Sequence, residues 1–280
     1  MINDYVMSDG HLFYLLLIMV AIVINLIAIS KYSFKDGTAT CDKYVLNTYL
    51  YTILAALISS VLLLLLENNN VFKMLASLVL TLPGLIFMIV LNIAVIFLFH
   101  SIDPRNTMAL HIVWTLLISL ITINLYFPFK LTKITDTLGL AIILTLTVVV
   151  SMAIIGYNFG EYVHDNIIKI NKLERVLRIS LIVLIITLFC FPLISNIMKS
   201  VFNVDPGTLL LLLTVLSLVI FMLLIFTFNH DIKAKGKLCD ESKINNYPNY
   251  PKESFSLFIK IANIFQDIAL LLNRNRMLRR

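Results

Sequence analysis

The sequence predicts an all-α fold, a polytopic transmembrane helix bundle of about seven spanning helices followed by a C-terminal helix that is either amphipathic or inserted. Of its 280 residues, 60% are hydrophobic and 14% are charged, whereas an average soluble domain is about half apolar and about a quarter charged. The charged residues fall in short stretches and cannot cover the surface of a soluble domain of this length. The chain is therefore expected to be surrounded largely by lipid.

The spanning helices are predicted from long apolar stretches. Crossing the hydrocarbon core takes about 20 mainly apolar residues, and a helix satisfies its own backbone hydrogen bonds there. Seven stretches meet this requirement, at residues 12–30, 46–66, 74–99, 107–127, 138–159, 179–198 and 208–228. The third stretch contains Pro83 and Gly84, so we expect a kink or tilt at that position.

The hydropathy profile also gives the domain organisation. We predict a transmembrane helix bundle over residues 1–230, a polar cytoplasmic connector over residues 231–250, and a closing helix with a basic C-terminal end over residues 251–280. Pro251 suits the first turn of a helix, and Glu253 follows where a carboxylate complements the helix dipole. The closing helix itself is expected to cover residues 251–272.

The orientation is predicted from the Lys and Arg residues outside the spans. One side of the bundle carries eight of them before the tail, and the other side carries four. The eight are Lys31, Lys35, Lys43, Arg105, Lys169, Lys172, Arg175 and Arg178, and the four are Lys73, Lys130, Lys133 and Lys199. Because basic loops stay on the cytoplasmic side, we expect the N-terminus outside or lumenal and the C-terminus cytoplasmic.

Several function classes are disfavoured by the composition. The net charge is +6, and we expect the basic residues of the tail to contact anionic lipid headgroups. No nucleic-acid partner is therefore predicted. The expected partners are the lipid bilayer, those headgroups and other membrane proteins. No HExxH, GxSxG or phosphate-loop motif occurs, so neither an enzyme nor a cofactor is predicted. Cys41, Cys190 and Cys239 lack CxxC spacing, so we expect reduced or buried thiols rather than a metal site or a disulfide framework.

The closing helix carries a polar stripe. Ser256, Lys260, Asn263 and Asp267 are spaced four, three and four residues apart, so they line one helix face while mostly apolar residues cover the others. Two arrangements fit this pattern. The helix lies on the cytoplasmic leaflet with Lys260 reaching the phosphates, or it inserts into the bundle with the stripe turned inward.

The residues of this helix also carry a family resemblance. The run Leu-Phe-Ile-Lys-Ile-Ala-Asn-Ile-Phe, residues 257–265, resembles the closing helix of the transmembrane Bax inhibitor motif family, which reads Leu-Tyr-Leu-Asp, two residues, Asn, one residue, Phe. The segment 228–231 takes the place of the Tyr-Asp-Thr-Gln-like end of the preceding family helix. Asp231, the Lys-rich connector, Cys239 and residues 250–254 look especially like divergent members encoded by large DNA viruses. An endomembrane or a viral membrane is the implied location.

The resemblance implies a function as well as a fold. The family forms a seven-helix bundle that leaks calcium or protons through a gate of two aspartates and dampens cell death from endomembranes. The first aspartate maps to Asp231, within one position, and the second maps to Lys260. An ion pair between them would leave the gate closed and indifferent to calcium. Asn263 and Asp267 form a secondary polar stripe, in which Asp267 is a candidate to replace the lost acid.

Two alternatives stay open at this point. The family has six spans plus a closing segment, whereas we count seven plus the closing one, so either the stretch at residue 12 is an addition or a span is miscounted. The alternative function is a non-transporting structural protein, a component of a viral envelope or virion membrane that uses the bundle as an anchor. The changed charge at Lys260 favours this second function over a working channel.

Overall fold

The computed structural model describes residues 9–67, 69–79, 81–131, 144–145, 147–151, 154, 167–189 and 206–277. The described elements are, in order, α1 (Asp9–Ser33), β1 (Phe34–Lys35), β2 (Thr38–Ala39), α2 (Tyr44–Glu67), α3 (Asn69–Val79), α4 (Leu82–Ser101), α5 (Thr107–Leu131), α6 (Ile167–Phe189), α7 (Pro206–Leu238), a 3-10 turn (Ile244–Asn246) and α8 (Tyr250–Met277). The predicted all-α helix bundle is confirmed.

Six of the described helical segments are long and apolar enough to cross a membrane. They are Leu15–Ser33, Tyr44–Leu66, Leu82–Ser101, Thr107–Tyr126, Gly207–Leu238 and Ile244–Leu272. The first five correspond to predicted spans, and the sixth contains the predicted closing helix. The predicted span at residues 138–159 lies mostly outside the described residues, and the one at residues 179–198 is described only as far as the end of α6.

The predicted third span is divided into two helices rather than kinked. Helix α3 ends at Val79 and α4 begins at Leu82, where the Thr81 hydroxyl accepts a hydrogen bond from the Gly84 N–H at 3.1 Å. A Cβ atom on residue 84 would lie 1.8 Å from the carbonyl oxygen of Leu78. Only glycine therefore permits this close approach of the two helices. The uninterrupted apolar character of the stretch concealed the break.

The chain divides into two compact units, and both α7 and α8 contribute to each of them. The first unit comprises Met1–Leu131 and Lys235–Phe258, and the second comprises Thr132–Ala234 and Ile259–Arg280. In the first unit α1 packs on α2, α5 packs on α2 and α4, and α3 contacts α2 and α4. Its largest fully buried side chains are Tyr51, Leu66, Phe99, Trp114, Leu117, Ile118, Tyr250 and Leu257.

A short hairpin follows α1. Strands β1 and β2 pair antiparallel, and the two residues between them, Asp36 and Gly37, have φ angles of 52° and 80°. Positive φ at both central residues is what a type I′ turn requires, and Asp-Gly is a favoured pair for it. The hairpin is followed by Thr40 and Cys41.

Cys41 and Cys239 form a disulfide, with their Cα atoms 5.7 Å apart. The structure therefore contradicts the expectation of reduced or buried thiols for this pair, because it holds both cysteines in the oxidised state. The bridge spans a sequence separation of 198 residues, and the absence of CxxC spacing says nothing about cysteines that only the fold brings together. Cys190 lies outside the described residues.

Helix α7 continues past the predicted start of the connector. Residues 231–238 are helical, Ile232 is fully buried, and Lys235 and Lys237 lie in the last turn, where positive charge complements the helix dipole. The irregular connector is therefore limited to residues 239–249. The first eight residues of the predicted connector, 231–238, are polar because they form the end of a helix, not because they form a loop.

Helix α8 begins one residue before the predicted closing helix. The Asn249 side chain caps it by accepting a hydrogen bond from the Lys252 N–H at 3.1 Å. Pro251 and Glu253 lie in the first turn, as predicted. The helix extends to Met277, five residues beyond the predicted end.

Candidate functional site

The first part of α8 is packed inside the first unit. Tyr250, Ser254 and Leu257 are almost completely buried, and the Phe255 ring meets the Phe99 ring edge-on with centroids 5.5 Å apart. A helix lying flat on the bundle would leave one face exposed along this stretch. This part of α8 therefore packs into the bundle through the face that carries Tyr250, Ser254 and Leu257, whereas Ser256 of the polar stripe is half-buried.

Trp114, the only tryptophan of the chain, anchors α8 to α5. Its Nε1–H donates to Ser254 Oγ at 3.1 Å, and the Ser254 hydroxyl donates to the Pro251 carbonyl at 2.9 Å. Trp114 and Ser254 are 1% and 0% exposed. Both polar groups are therefore satisfied within the core, where an unsatisfied one would be costly.

Tyr51, His111 and Tyr250 extend this anchor. His111 Nδ1 donates to the Thr107 carbonyl, which can only accept, and His111 Nε2 is hydrogen-bonded to the Tyr51 hydroxyl at 2.7 Å. The Tyr250 ring stacks on Tyr51 with centroids 5.9 Å apart, and its hydroxyl donates to the Thr40 carbonyl. The cluster fixes the start of α8.

The segment Thr40–Cys41 holds the connector. The Glu241 carboxylate accepts hydrogen bonds from the Cys41 N–H at 2.9 Å and from the Thr40 hydroxyl at 3.0 Å. These two bonds lower the pKa of the Glu241 carboxyl below its usual value. The disulfide to Cys239 lies two residues before Glu241, so covalent and polar contacts act on the same stretch.

Two further contacts fix the connector and its flanking helices. Arg105 donates to the Ser242 carbonyl at 3.0 Å and lies over the Tyr247 ring, 5.7 Å from its centroid. Lys235 in the last turn of α7 pairs with Glu253 in the first turn of α8 at 2.9 Å. The Lys235 side chain is 43% exposed, so this pair aligns the helices more than it stabilises them.

The predicted gate residues Asp231 and Lys260 both belong to the second unit. Lys260 Nζ lies 4.5 Å from the centroid of the Phe228 ring, a cation–π contact between α8 and α7. Asp231 follows Phe228 by three residues and therefore lies on the same face of α7. Asp231 and Lys260 are both half-buried. The Lys260 ammonium is thus directed to the α7 face that carries Asp231, and the ion pair itself stays a prediction.

The other residues of the polar stripe have different partners. Asp267 is buried and its carboxyl is hydrogen-bonded to the Ser217 side chain of α7. Its Oδ2 has no hydrogen-bond partner among the described residues. Asn263 donates to the Ile259 carbonyl of its own helix at 2.8 Å. The stripe therefore meets α7 at two levels, through Lys260 and through Asp267.

Sequence reasoning missed the residues that hold the closing helix. Tyr51 and Ser254 carry no motif, and Glu241 is one of several charges in a polar segment. The disulfide had a usable signal, because the predicted topology placed Cys41 and Cys239 in hydrophilic segments on the same side of the membrane. That shared location makes pairing geometrically feasible.

The family model described as inhibitor of apoptosis-promoting Bax1 matches residues 41–277. The match includes helices α2 to α8 with Asp231 and Lys260, and α1 lies outside it, so the extra span at residue 12 precedes the family part. Curated proteins and solved structures give no significant match. Because the family match covers most of the chain, the protein belongs to the Bax inhibitor family of membrane proteins.

Proposed function

We propose that the protein suppresses cell death from an endomembrane or viral membrane, as Bax inhibitor-type proteins do, and that Lys260 alters its calcium and proton gate. The observation that carries this proposal is the position of the Lys260 ammonium over Phe228, three residues before Asp231. The family resemblance assigns the second gate aspartate to the position of Lys260.

The substitution changes the chemistry available to the gate. Two neighbouring carboxylates repel each other, and a shared proton or a bound calcium ion relieves that repulsion. Lys260 provides a covalently attached positive charge instead. Two unit charges 4 Å apart attract by about 4 kcal/mol at an effective dielectric near 20, before desolvation is subtracted. A calcium ion at Asp231 would have to displace this ammonium, so the gate is expected to be closed and indifferent to calcium.

Asp267 is the carboxyl that remains on the stripe. It lies seven residues after Lys260, about 10 Å along the helix, and one of its oxygens has no partner among the described residues. An uncompensated carboxylate within a membrane is costly, so this side chain needs a proton or a cation. Asp267 is therefore the candidate to replace the lost gate acid.

The proposed orientation follows the basic residues. We place the N-terminus outside or in the lumen and the C-terminal tail in the cytoplasm, where its Lys and Arg residues meet anionic headgroups. Other membrane proteins are the further partners, and we propose no enzymatic step, cofactor or nucleic-acid partner.

Calcium flux into proteoliposomes tests the altered gate. The full-length chain, Lys260→Asp and Lys260→Met are compared at neutral and mildly acidic pH. The unaltered protein is expected to leak little calcium and to respond weakly to pH, whereas Lys260→Asp should increase the flux and make it pH-dependent. Lys260→Met separates loss of the cation from gain of the acid. A pH-dependent leak of the unaltered protein, matching a two-aspartate family member, would contradict the proposal.

The second candidate is a non-transporting component of a viral envelope or virion membrane. The charge change at Lys260 favours this candidate, because a gate that cannot bind a cation is not expected to transport one. In that case Lys260→Asp would not restore flux, and the protein would be recovered in purified particles rather than in host membranes.

A further inference from the structure

We infer that Cys41 and Cys239 form a reversible redox-modification site that ties the connector before α8 to the segment before α2 when it is oxidised and frees the connector when it is reduced. The two Cα atoms lie 5.7 Å apart, a separation that a disulfide spans without backbone movement. This inference does not depend on whether the bundle conducts ions.

The segment Thr40–Cys41 contacts the connector at both of its ends. At the start, Cys239 is bonded to Cys41, and Glu241 accepts hydrogen bonds from both residues of the segment. At the end, the Tyr250 hydroxyl donates to the Thr40 carbonyl. The disulfide is the only covalent bond among these described contacts. Its redox state therefore decides how firmly the start of the connector is held.

The location of the pair makes the bond reversible. In the proposed orientation, which follows the excess of basic residues, the segment around Lys35 and Lys43 and the connector lie on the cytoplasmic side. Disulfides do not persist in the reducing cytosol, and those that form there are transient and redox-sensing. In the opposite orientation the same bond would be a permanent cross-link, and the experiment below separates the two cases.

The chemistry needs a low-molecular-weight disulfide such as oxidised glutathione. The thiolate of one cysteine attacks a glutathione sulfur and releases one glutathione thiolate, leaving a mixed disulfide. The second cysteine thiolate attacks that mixed disulfide and releases the second glutathione. Two electrons pass from the cysteine pair to the oxidant, and the two protons end on the two glutathione thiols. Excess reduced glutathione reverses both steps.

Reduction is expected to loosen the connector without expelling α8. The Glu241 side chain and its hydrogen bond from the Cys41 N–H lie at the surface, whereas Tyr250 and Ser254 stay anchored in the core. Lys243 offers a protease site in the connector, with 69% of its side chain exposed. The redox state should therefore be readable as the rate of cleavage at this residue.

Thiol trapping in cells that express the full-length chain tests reversibility. Free thiols are alkylated with a mass-tagged maleimide before and after an oxidised-glutathione or diamide pulse, and again after recovery. We expect Cys41 and Cys239 to be free in untreated cells, protected together after oxidation, and free again on recovery. Cys190→Ser should preserve this cycle, and Cys41→Ser and Cys239→Ser should abolish it. A pair that is fully oxidised throughout, or that never becomes protected, would overturn the inference.

Trypsin treatment of intact microsomes, whose cytoplasmic face is outward, tests the structural consequence. Cleavage at Lys243 should be at least about tenfold faster after reduction, because the disulfide then no longer restricts the start of the connector. The main comparison is between the reduced and the oxidised unaltered protein, so it needs no variant. As a control, Cys239→Ser should be cleaved rapidly in both the reducing and the oxidising buffer. Equal rates in both buffers, or cleavage only after the membrane is permeabilised, would contradict the inference.

Discussion

Replacing Ser254 by alanine removes the acceptor for the only tryptophan N–H in the chain. In the folded protein Trp114 Nε1 lies 3.1 Å from Ser254 Oγ, and both residues are buried. The substitution leaves the indole donor in an apolar core with no acceptor in its place. We therefore expect the closing helix to be held less firmly on α5.

The size of the effect follows from the burial. A buried donor left without a partner costs about 1–3 kcal/mol, which corresponds to a roughly 5- to 150-fold change in the folding equilibrium constant. The matched control is Ser119→Ala on α5, because the Ser119 hydroxyl donates to the Thr115 carbonyl of its own helix. The control is expected to change the free energy of unfolding by less than about 0.5 kcal/mol.

Tryptophan emission provides the assay, because Trp114 is the only indole in the chain. Unfolding in detergent is followed by the emission of Trp114, which shifts to longer wavelength as the residue leaves the core. Ser254→Ala should lower the free energy of unfolding and shift the emission of the folded protein, whereas Ser119→Ala should do neither. If the two variants behave alike, the indole–hydroxyl bond does not anchor α8.

Two other perturbations have defined outcomes. Gly84→Ala should destabilise the α3–α4 pair by about 1–3 kcal/mol or more, because the new Cβ would meet the Leu78 carbonyl, and thermal unfolding in detergent measures this; an unchanged midpoint would refute it. The pKa of Glu241 is lowered by its bond from the Cys41 N–H. The ionised Glu241 carboxylate therefore stabilises the folded protein fully above the ordinary pKa of about 4.3, and this stabilisation is lost as pH falls through the lowered pKa. Hydrogen exchange at the Cys41 amide, corrected for its intrinsic rate, should rise in that acidic range, and Glu241→Gln should remove the dependence.

The spans were predictable because burial in lipid imposes a simple length and composition on each helix. Five predicted spans correspond to described helices, and Pro251 and Glu253 mark the first turn of α8. The break at Thr81 was not predictable by the same rule, because a single threonine cap inside an apolar run leaves the hydropathy almost unchanged. The continuation of α7 to Leu238 was missed for the opposite reason, since polar residues can extend a helix beyond the lipid.

The candidate site was predictable only in part. Spacing placed Lys260 and Asp267 on one face of α8, and both contact α7. The assignment of Asp231 came from the family resemblance rather than from periodicity. The Cys41–Cys239 bond and the Trp114–Ser254 contact depend on residues far apart in the chain, so they required the fold.

A double-mutant cycle at the predicted gate tests the central claim most directly. The free energy of unfolding is measured for the unaltered protein, Asp231→Asn, Lys260→Met and the double variant. If Asp231 and Lys260 form one charge-coupled site at their half-buried positions, the coupling energy should be about 1–3 kcal/mol. A coupling energy within about 0.3 kcal/mol of zero would contradict the account, because Lys260 would then not neutralise the gate aspartate.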